Sequence, residues 1–303
     1  MKRNKATLTI GMSAFNEEKN IGKLILSILS QNKENFVLDK IVVVSDKSED
    51  STEKIVSKIK SKKITLIVNT KRIGKALSLN KIIKICKSDY LIILDADILP
   101  KNKNSLSSLI KGLTERKEIG LVSGQLIPME GKSFIEKVII NSINIKKKLY
   151  LSLNNGNNIY MCVGAVRGFS RNFYKSFRWE KVYGEDAFSY LSCLKNGFEF
   201  KYQKESKFIY QVSSTIGDHL KQSKRFFHSR IKQKEYFSEK FVRESYKIPL
   251  VFVASLCLKE GIKRPIVSMS YLIILIGAYV SSRINNQTSA TWEISRSSKS
   301  LTK

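Results

Sequence analysis

The sequence predicts an α/β protein whose mainly parallel β-sheet is covered by helices on both faces. Three observations carry that expectation. Short β-branched runs alternate with amphipathic helical stretches through the first hundred residues. The runs are continuously apolar, as strands buried on both faces require. Apolar residues make up 42% of the 303, enough for a sizeable core. Right-handed crossovers in such a sheet place ligands outside the carboxyl ends of its strands.

Residues 7–13 (TLTIGMS) form the first strand, and 17–31 a helix with Ile21, Leu24, Ile25, Ile28 and Leu29 on one face. Residues 40–45 (KIVVVS) are the second strand, and 51–60 a helix that Asp50 or Ser51 can cap. Strand 64–68, helix 75–86 and strand 90–94 (YLIIL) complete the regular half. After Pro100 the pattern loosens to a helix over 103–116, a strand over 120–125, a long helix over 133–153 and an Asn/Gly loop at 154–158. Residues 160–212 mix short strands with a helix over 185–196, and 217–240 read as a basic helix. Apolar segments follow at 248–258 and 265–280.

The chain carries 54 Lys+Arg against 26 Asp+Glu, a formal net charge of +28. Such an excess attracts polyanions, and an anionic lipid surface fits it better than nucleic acid, because no RNP-like, zinc-finger or helix-turn-helix pattern is present. A solvated lysine-rich surface is the plain alternative. Cys86, Cys162, Cys193 and Cys257 form no CxxC pair, and His219 and His228 suit no common zinc spacing. Scattered thiols fit a reducing cytoplasm and buried packing. No apolar run of a secretory signal precedes Asn16-Glu17-Glu18, and no repeat or collagen-like stretch occurs.

The sharpest chemical signal is Leu91-Ile92-Ile93-Leu94-Asp95-Ala96-Asp97. A buried strand runs into two carboxylates two residues apart, and alternate side chains of an extended chain share one face. Paired oxygen donors suit a hard divalent cation, Mg2+ or Mn2+, shared with a diphosphate. A helix cap or solvated turn is the competing reading of an isolated Asp-x-Asp.

Over roughly residues 7–230 the chain resembles a family-2 glycosyltransferase with the GT-A fold, a Rossmann-like mixed sheet flanked by helices. Ser13-Ala14-Phe15-Asn16-Glu17-Glu18 resembles the family's opening strand end, which implies that Phe15, Asn16 and Glu17 help form the nucleotide pocket. Ser45-Asp46-Lys47-Ser48 resembles its Asp-Asp-Gly-Ser segment and puts Asp46 against the base, with Ser45 and Lys47 standing for Asp and Gly. Arg72-Ile73-Gly74-Lys75 through Asn80 resembles its Gly-Lys-x-x-x-Leu-Asn stretch and sets Lys75 near the diphosphate. A P-loop fits that stretch poorly, since the upstream Gly and the following Ser or Thr are missing. The resemblance also places Asp95 on the nucleotide and Asp95 with Asp97 on the metal.

Gly184-Glu185-Asp186 matches the acidic turn that deprotonates the acceptor, with Asp186 at the base position and Glu185 beside it. Gln222-Ser223-Lys224-Arg225-Phe226 resembles the Gln-x-x-Arg-Trp motif of membrane-linked members. That motif implies that Arg225 meets the leaving diphosphate, where a guanidinium offers a rigid donor fork, that Gln222 belongs with it to the catalytic residues, and that Phe226, in place of Trp, lines the acceptor site. Gly164 through Arg171 resembles the Gly-rich acceptor-side segment.

Residues 248–258 are too short to span a hydrocarbon core of about 30 Å, and 265–282 lie near the lower limit. The basic linker 259–264 would lie outside in a spanning hairpin, against the positive-inside rule. An interfacial or re-entrant pair is expected, with a buried helical pair as the alternative. Trp292, Glu293 and Arg296 resemble a short tail of some relatives, and Asn286-Gln287-Thr288 matches a glycosylation acceptor only by chance.

The expectation is therefore a catalytic domain over 1–240 and a membrane-associating helical segment over 241–303, acting at the cytoplasmic face of the cell membrane. It would move a sugar from a nucleoside diphosphate sugar, a UDP-sugar, to a lipid-linked, polyprenyl-phosphate or glycan acceptor, by metal-assisted direct displacement with inversion. A nucleotidyltransferase is one alternative; it would need neither Asp186 nor the helix around Gln222. A basic, non-enzymatic membrane- or nucleic-acid-binding protein is the other, and it leaves the ordered acidic motifs unexplained.

Overall fold

The structure, a computed structural model, describes residues 5–263 and 265–284, apart from some side chains in the last two helices. In chain order it runs β1 (Ala6–Ala14), α1 (Ile21–Leu29), β2 (Phe36–Ser45), α2 (Thr52–Lys58), β3 (Ile64–Val68), α3 (Lys75–Ile85), β4 (Tyr90–Leu94), β5 (Ile98–Pro100) and α4 (Ser105–Thr114). It continues through β6 (Ile119–Pro128), α5 (Phe134–Ser152), β7 (Val166–Ser170), α6 (Arg171–Ser176), α7 (Glu185–Lys195), β8 (Glu199–Tyr210), α8 (Ile216–Lys232), α9 (Glu239–Ser245), α10 (Leu250–Lys263) and α11 (Pro265–Ile284).

One eight-stranded sheet has the order β3-β2-β1-β4-β7-β6-β8-β5. The half made by β3, β2, β1 and β4 is parallel throughout. Beyond it, β7 runs antiparallel to both β4 and β6, and the short β5 antiparallel to β8. The sheet is thus mixed, and the parallel expectation holds for its N-terminal half.

The continuous apolar runs are explained by two cores. Val42, Val44, Leu91 and Ile93 face one of them, with Leu79 and Ile82 of α3 and Leu191 of α7. Ile41, Val43, Ile92 and Leu94 face the other, with Leu24 and Ile28 of α1 and Leu109 of α4. Side chains alternate across a strand, so a strand covered on both faces must be apolar at every position.

Several boundaries moved for local reasons. The first helix starts at Ile21, because Asn16 is left-handed (φ 53) and the Glu17 N–H donates to Thr52 Oγ1 at 2.7 Å, which ties 15–20 to the loop after β2. The long helix starts as expected: Ser133 and Glu136 form a reciprocal capping box. The basic helix over 217–240 instead stops at Lys232, and a 3-10 turn and α9 follow. Val242 of α9 and the adjacent Tyr246 are buried in the core, so α9 packs with the catalytic part and a division at 240 cuts through it. The basic linker at 259–264 is not a linker up to Lys263, because α10 runs through it.

Among the described residues no helix is long and apolar enough to cross a membrane. Cys86, Cys162 and Cys193 are buried free thiols, as their scatter suggested. Trp292, Glu293, Arg296 and the Asn286–Thr288 triplet lie outside the described residues.

Candidate active site

The parallel strands β1, β2 and β4 end side by side, and each delivers candidate residues at its carboxyl end. Ala14 of β1 pairs with Ser45 of β2, so Phe15–Glu18 and Asp46–Thr52 leave the sheet together. The two segments interlock: Asn16 Oδ1 accepts from Glu49 N at 2.8 Å, and Glu18 Oε2 accepts from Ser51 N at 3.0 Å. Lys47 is left-handed (φ 62), which accounts for the glycine that the family prefers there. Arg72 lies over the Phe15 ring at 3.7 Å, closing one side of the expected nucleotide pocket.

Asp46 is only 3% exposed. Its carboxylate accepts from Ile73 N and Asn69 Nδ2, both at 2.9 Å, and from Gly74 N at 3.0 Å. Asp46 thereby holds the turn that starts α3, a duty its motif does not announce. Gly74 has φ 89 and ψ 164, a conformation open essentially to glycine alone. Immediately after it, Lys75 opens the helix.

Lys75 Nζ lies 2.6 Å from Asp95 Oδ1 and 2.6 Å from Glu185 Oε1. Glu185 in turn meets Arg167, whose guanidinium donates to the Glu185 carbonyl at 2.9 Å and to Ser189 Oγ at 2.8 Å. Arg167 NH2 also lies 3.4 Å from Glu185 Oε1. Asp95, Lys75, Glu185 and Arg167 thus form a row of alternating charge, and Arg167 is fully buried within it. Trp179 Nε1 donates to the same Glu185 carbonyl at 2.9 Å and fixes the start of α7 from a third side. Burial pulls the Lys75 ammonium down, and Asp95 and Glu185 overcome it, raising its pKa well above the ordinary lysine value. Burial pushes Glu185 up, and Lys75 and Arg167 overcome that, holding it below the ordinary glutamate value.

Asp186 behaves in the opposite way. Burial first and the neighbouring Glu185 charge second raise its pKa, against Arg167 and the Ala187 N–H. Two adjacent carboxylates are therefore driven apart: one is a fixed anion, and the other is suited to take up a proton. Gly164 leaves the space in front of them, since a Cβ there would stand 3.2 Å from Glu185 Oε1 and 3.4 Å from Asp186 Oδ2.

α8 clamps this turn from above. Gln233, fully buried just past its end, donates through Nε2 to the Tyr183 carbonyl at 2.9 Å and to the Gly184 carbonyl at 3.2 Å. Ser229 Oγ donates to the Tyr183 carbonyl at 3.3 Å. Gln222 and Arg225 sit seven and four residues before Ser229, so helical spacing puts them on the same face of α8. Phe226 is exposed, with its ring near Tyr160 and Tyr246 at 6.4 and 6.5 Å. Gly184 is left-handed (φ 69), and a Cβ on it would overlap Ser229 Oγ. Gly184→Ala is expected to cost about 1–2 kcal/mol in backbone strain, with the overlap adding to it. A lowered melting temperature together with lost transfer is the expected result; a variant with wild-type values of both would show that α8 does not position the turn.

Asp95 and Asp97 flank buried Ala96 between β4 and β5, both partly exposed. No group of three or more His, Cys, Asp or Glu side chains able to hold a metal occurs among the described residues. Two hard oxygen donors still fit Mg2+ or Mn2+, which commonly take one or two carboxylates and fill the remaining positions with phosphate oxygens and water. Asp95 already has a cationic partner in Lys75.

Ion pairs join Asp95, Lys75, Glu185 and Arg167, with Asp186 beside Glu185 and Asp46 holding the turn before Lys75. Asp97 lies two residues past Asp95; Phe15, Asn16 and Glu17 follow the neighbouring strand β1, and Gln222 and Arg225 lie on α8. Sequence reasoning assigned no individual role to Arg167, Trp179, Ser229 or Gln233. An arginine inside the apolar strand β7, flanked by Gly168, was the one visible signal among them.

A sequence profile described as glycosyl transferase family 2 matches residues 9–178. A glycosyltransferase of Methanocaldococcus jannaschii, itself without an assigned reaction, is 31% identical over 124 residues, 39% of this chain and 41% of that protein. A UDP-Glc:α-D-GlcNAc-diphosphoundecaprenol β-1,3-glucosyltransferase of Escherichia coli is 34% identical over 90 residues, 30% of this chain and 35% of that protein. The matches span less than half the length of either relative. The solved structure of a mannosyltransferase from Pyrobaculum calidifontis, in complex with GDP-Man and Mn2+, agrees with a TM-score of 0.60 at 17% identity, over 95% of this chain and 78% of that one. Likeness at that identity speaks for the fold, which is GT-A. Since the family match alone covers more than half of the 303 residues, from β1 to the turn before α7, the chain belongs to glycosyl transferase family 2.

Proposed function

We propose that the protein transfers a sugar from a UDP-sugar to a hydroxyl of a lipid-linked glycan, by direct displacement with inversion, at the cytoplasmic face of a membrane. The observation that carries this reading is the placement of Asp186, beside the ion-paired Glu185 and facing the space left by Gly164, where a Cβ would stand 3.4 Å from Asp186 Oδ2; burial and the Glu185 charge raise its pKa. A hydroxyl acceptor needs a base, whereas a phosphate acceptor needs little deprotonation. The Escherichia coli relative supports the choice of donor and acceptor, since it takes UDP-Glc and a diphosphoundecaprenol-linked sugar.

In this reading Phe15, Asn16, Glu17 and Asp46 border the nucleotide, and Lys75 and Arg225 meet the diphosphate. Asp186 takes the acceptor proton as the acceptor oxygen bonds to the anomeric carbon and the bond from that carbon to the phosphate oxygen breaks, releasing the nucleoside diphosphate. Glu185 and Arg167 orient Lys75 and the base turn, and Gln222 supports Arg225. A divalent cation held by Asp95 and Asp97 would supply positive charge to the leaving diphosphate.

The test is a screen of nucleotide sugars with Mn2+ and Mg2+, reading released nucleoside diphosphate with and without a lipid-linked glycan. Release that rises with the acceptor is the expected result. Pyrophosphate release from a nucleoside triphosphate and sugar phosphate, with no cleavage of any nucleotide sugar, would instead make the protein a nucleotidyltransferase.

Membrane attachment is supported by α10 and α11. Val251 is 80% exposed, Ile262 73% and Ile266 72%, with Ile273 and Ile276 continuing the row. α5 packs against both helices, and its Lys146 bonds Tyr271 of α11. An apolar row on a chain of net charge +28 suits an interfacial position on anionic lipid, with roughly 1 kcal/mol for each well-placed charge. The full-length protein is expected to float with anionic liposomes and to be released only in part by about 0.5 M salt, which screens charge but not apolar insertion. Protein that stays at the bottom in low salt, or that salt strips completely, contradicts this placement.

A further inference from the structure

We propose that Lys75 competes with the divalent cation for Asp95, so that the cation binds poorly until a nucleoside diphosphate draws Lys75 away. The inference rests on the reading of Asp95 and Asp97 as cation ligands.

Three features lead to it. Lys75 Nζ makes equal contacts of 2.6 Å with Asp95 Oδ1 and Glu185 Oε1, so the row from Asp95 to Arg167 holds two positive and two negative charges and is neutral. A divalent cation on Asp95 and Asp97 would neutralise those two carboxylates by itself. Lys75 would then stand as a like charge beside it, with Glu185 already served by Arg167. The row would carry one surplus positive charge.

The second feature is where that charge sits. Lys75 is the first residue of α3, and the positive end of a helix dipole disfavours a lysine. An anion at this end is favoured by the dipole and by the ammonium alike. The third feature is covalent placement. Gly74 is left-handed and its N–H is held by Asp46, so the Lys75 backbone is pinned and only its side chain can swing. Besides Glu185, Lys75 therefore has two alternative anionic partners within reach of one pinned Cα: the Asp95 carboxylate, and a diphosphate at the start of α3. The cation frees Lys75 for the diphosphate, and the diphosphate takes Lys75 off the cation's ligand. Each ligand removes the other's obstacle, which is positive coupling between them.

Direct coordination of a cation by a diphosphate also couples the two, so the deciding measurement uses the cation alone. Mn2+ is titrated calorimetrically into the full chain without nucleotide. Lys75→Met and Lys75→Gln are expected to bind Mn2+ about tenfold more tightly than the wild type, and Lys75→Arg to stay as weak as the wild type. Thermal melts of each variant establish that it is folded. A group that merely braced the site would leave Mn2+ affinity unchanged or weaken it, and either result overturns the proposal.

The wild type supplies a second readout that needs no variant. Reductive methylation of Lys75, read by mass spectrometry, is expected to rise severalfold with Mg2+ and to fall again when UDP is added. No change with Mg2+ overturns the proposal as well. If Mn2+ binds the wild type and Lys75 has no influence, only this inference fails. If no form binds Mn2+, even with UDP, the cation reading of Asp95 and Asp97 fails and takes this inference with it.

Discussion

Asp186→Asn is expected to bind the nucleotide sugar with wild-type affinity and to lose transfer by about 100-fold or more, the usual scale for removing a positioned base. Asparagine keeps the size of the side chain and an oxygen to accept from Ala187 N, which bonds Asp186 Oδ1 at 2.8 Å, so the turn should stand. Only the capacity to take up a proton is lost. Calorimetry beside a transfer assay separates the two effects. If binding and transfer fall together, Asp186 holds the turn and does not act as a base.

The same substitution has a consequence for stability. Asp186 has a folded-state pKa raised above its ordinary value of 3.8, so ionising it costs more in the folded than in the unfolded chain. That cost is absent at pH below 3.8, where both states are protonated, and fully present above the raised value. Asp186→Asn should therefore melt higher than the wild type at neutral pH, with the difference closing as pH falls below the ordinary aspartate range. In the wild type, the acid limb of the rate profile should lie above pH 3.8 for the same reason. A less stable Asn variant at neutral pH would contradict the assigned direction of the shift.

Asp97→Ala is expected to reduce transfer by about a thousandfold or more while leaving the protein folded. A bound cation contributes several kcal/mol of charge stabilisation, and about 1.36 kcal/mol corresponds to each tenfold in rate. Asp97 is partly exposed after a buried strand, so its removal opens no cavity. Excess EDTA should lower wild-type turnover in the same manner, with Mn2+ restoring it. Full turnover of Asp97→Ala, or of the wild type in EDTA, would remove the cation from the mechanism.

Much of this site could be read residue by residue. Asp95 and Asp97 stood out because an apolar strand ran straight into them, and both indeed follow β4. Phe15–Glu17 and Asp46 lie at the ends of adjacent strands as their motifs implied. Asp46 shows the limit of that approach: its motif pointed to a base, and only the fold reveals its hold on Ile73 and Gly74. Glu185 and Asp186 are neighbours of the same chemical type, and only the resemblance set Asp186 apart. Their different electrostatics come from the fold: Lys75 and Arg167 hold Glu185 low, while burial and the Glu185 charge raise Asp186.

The sequence by itself determined the alternation of buried strands and helices, the long capped helix α5, the carboxylate pair after β4 and the order of the family's motifs. These are local properties: apolar periodicity, capping chemistry and residue spacing act over a few positions. The tertiary structure alone decided that β7 would enter antiparallel between β4 and β6, and that step brings Arg167 under the start of α7. It alone decided that Lys75 would bridge Asp95 and Glu185, and that Ser229 and Gln233 would close over Gly184. Those contacts join distant parts of the chain, and strand order and helix packing set them. A buried arginine or glutamate is stable there only because its counter-charge arrives from another element, and that pairing exists only once the whole sheet has closed.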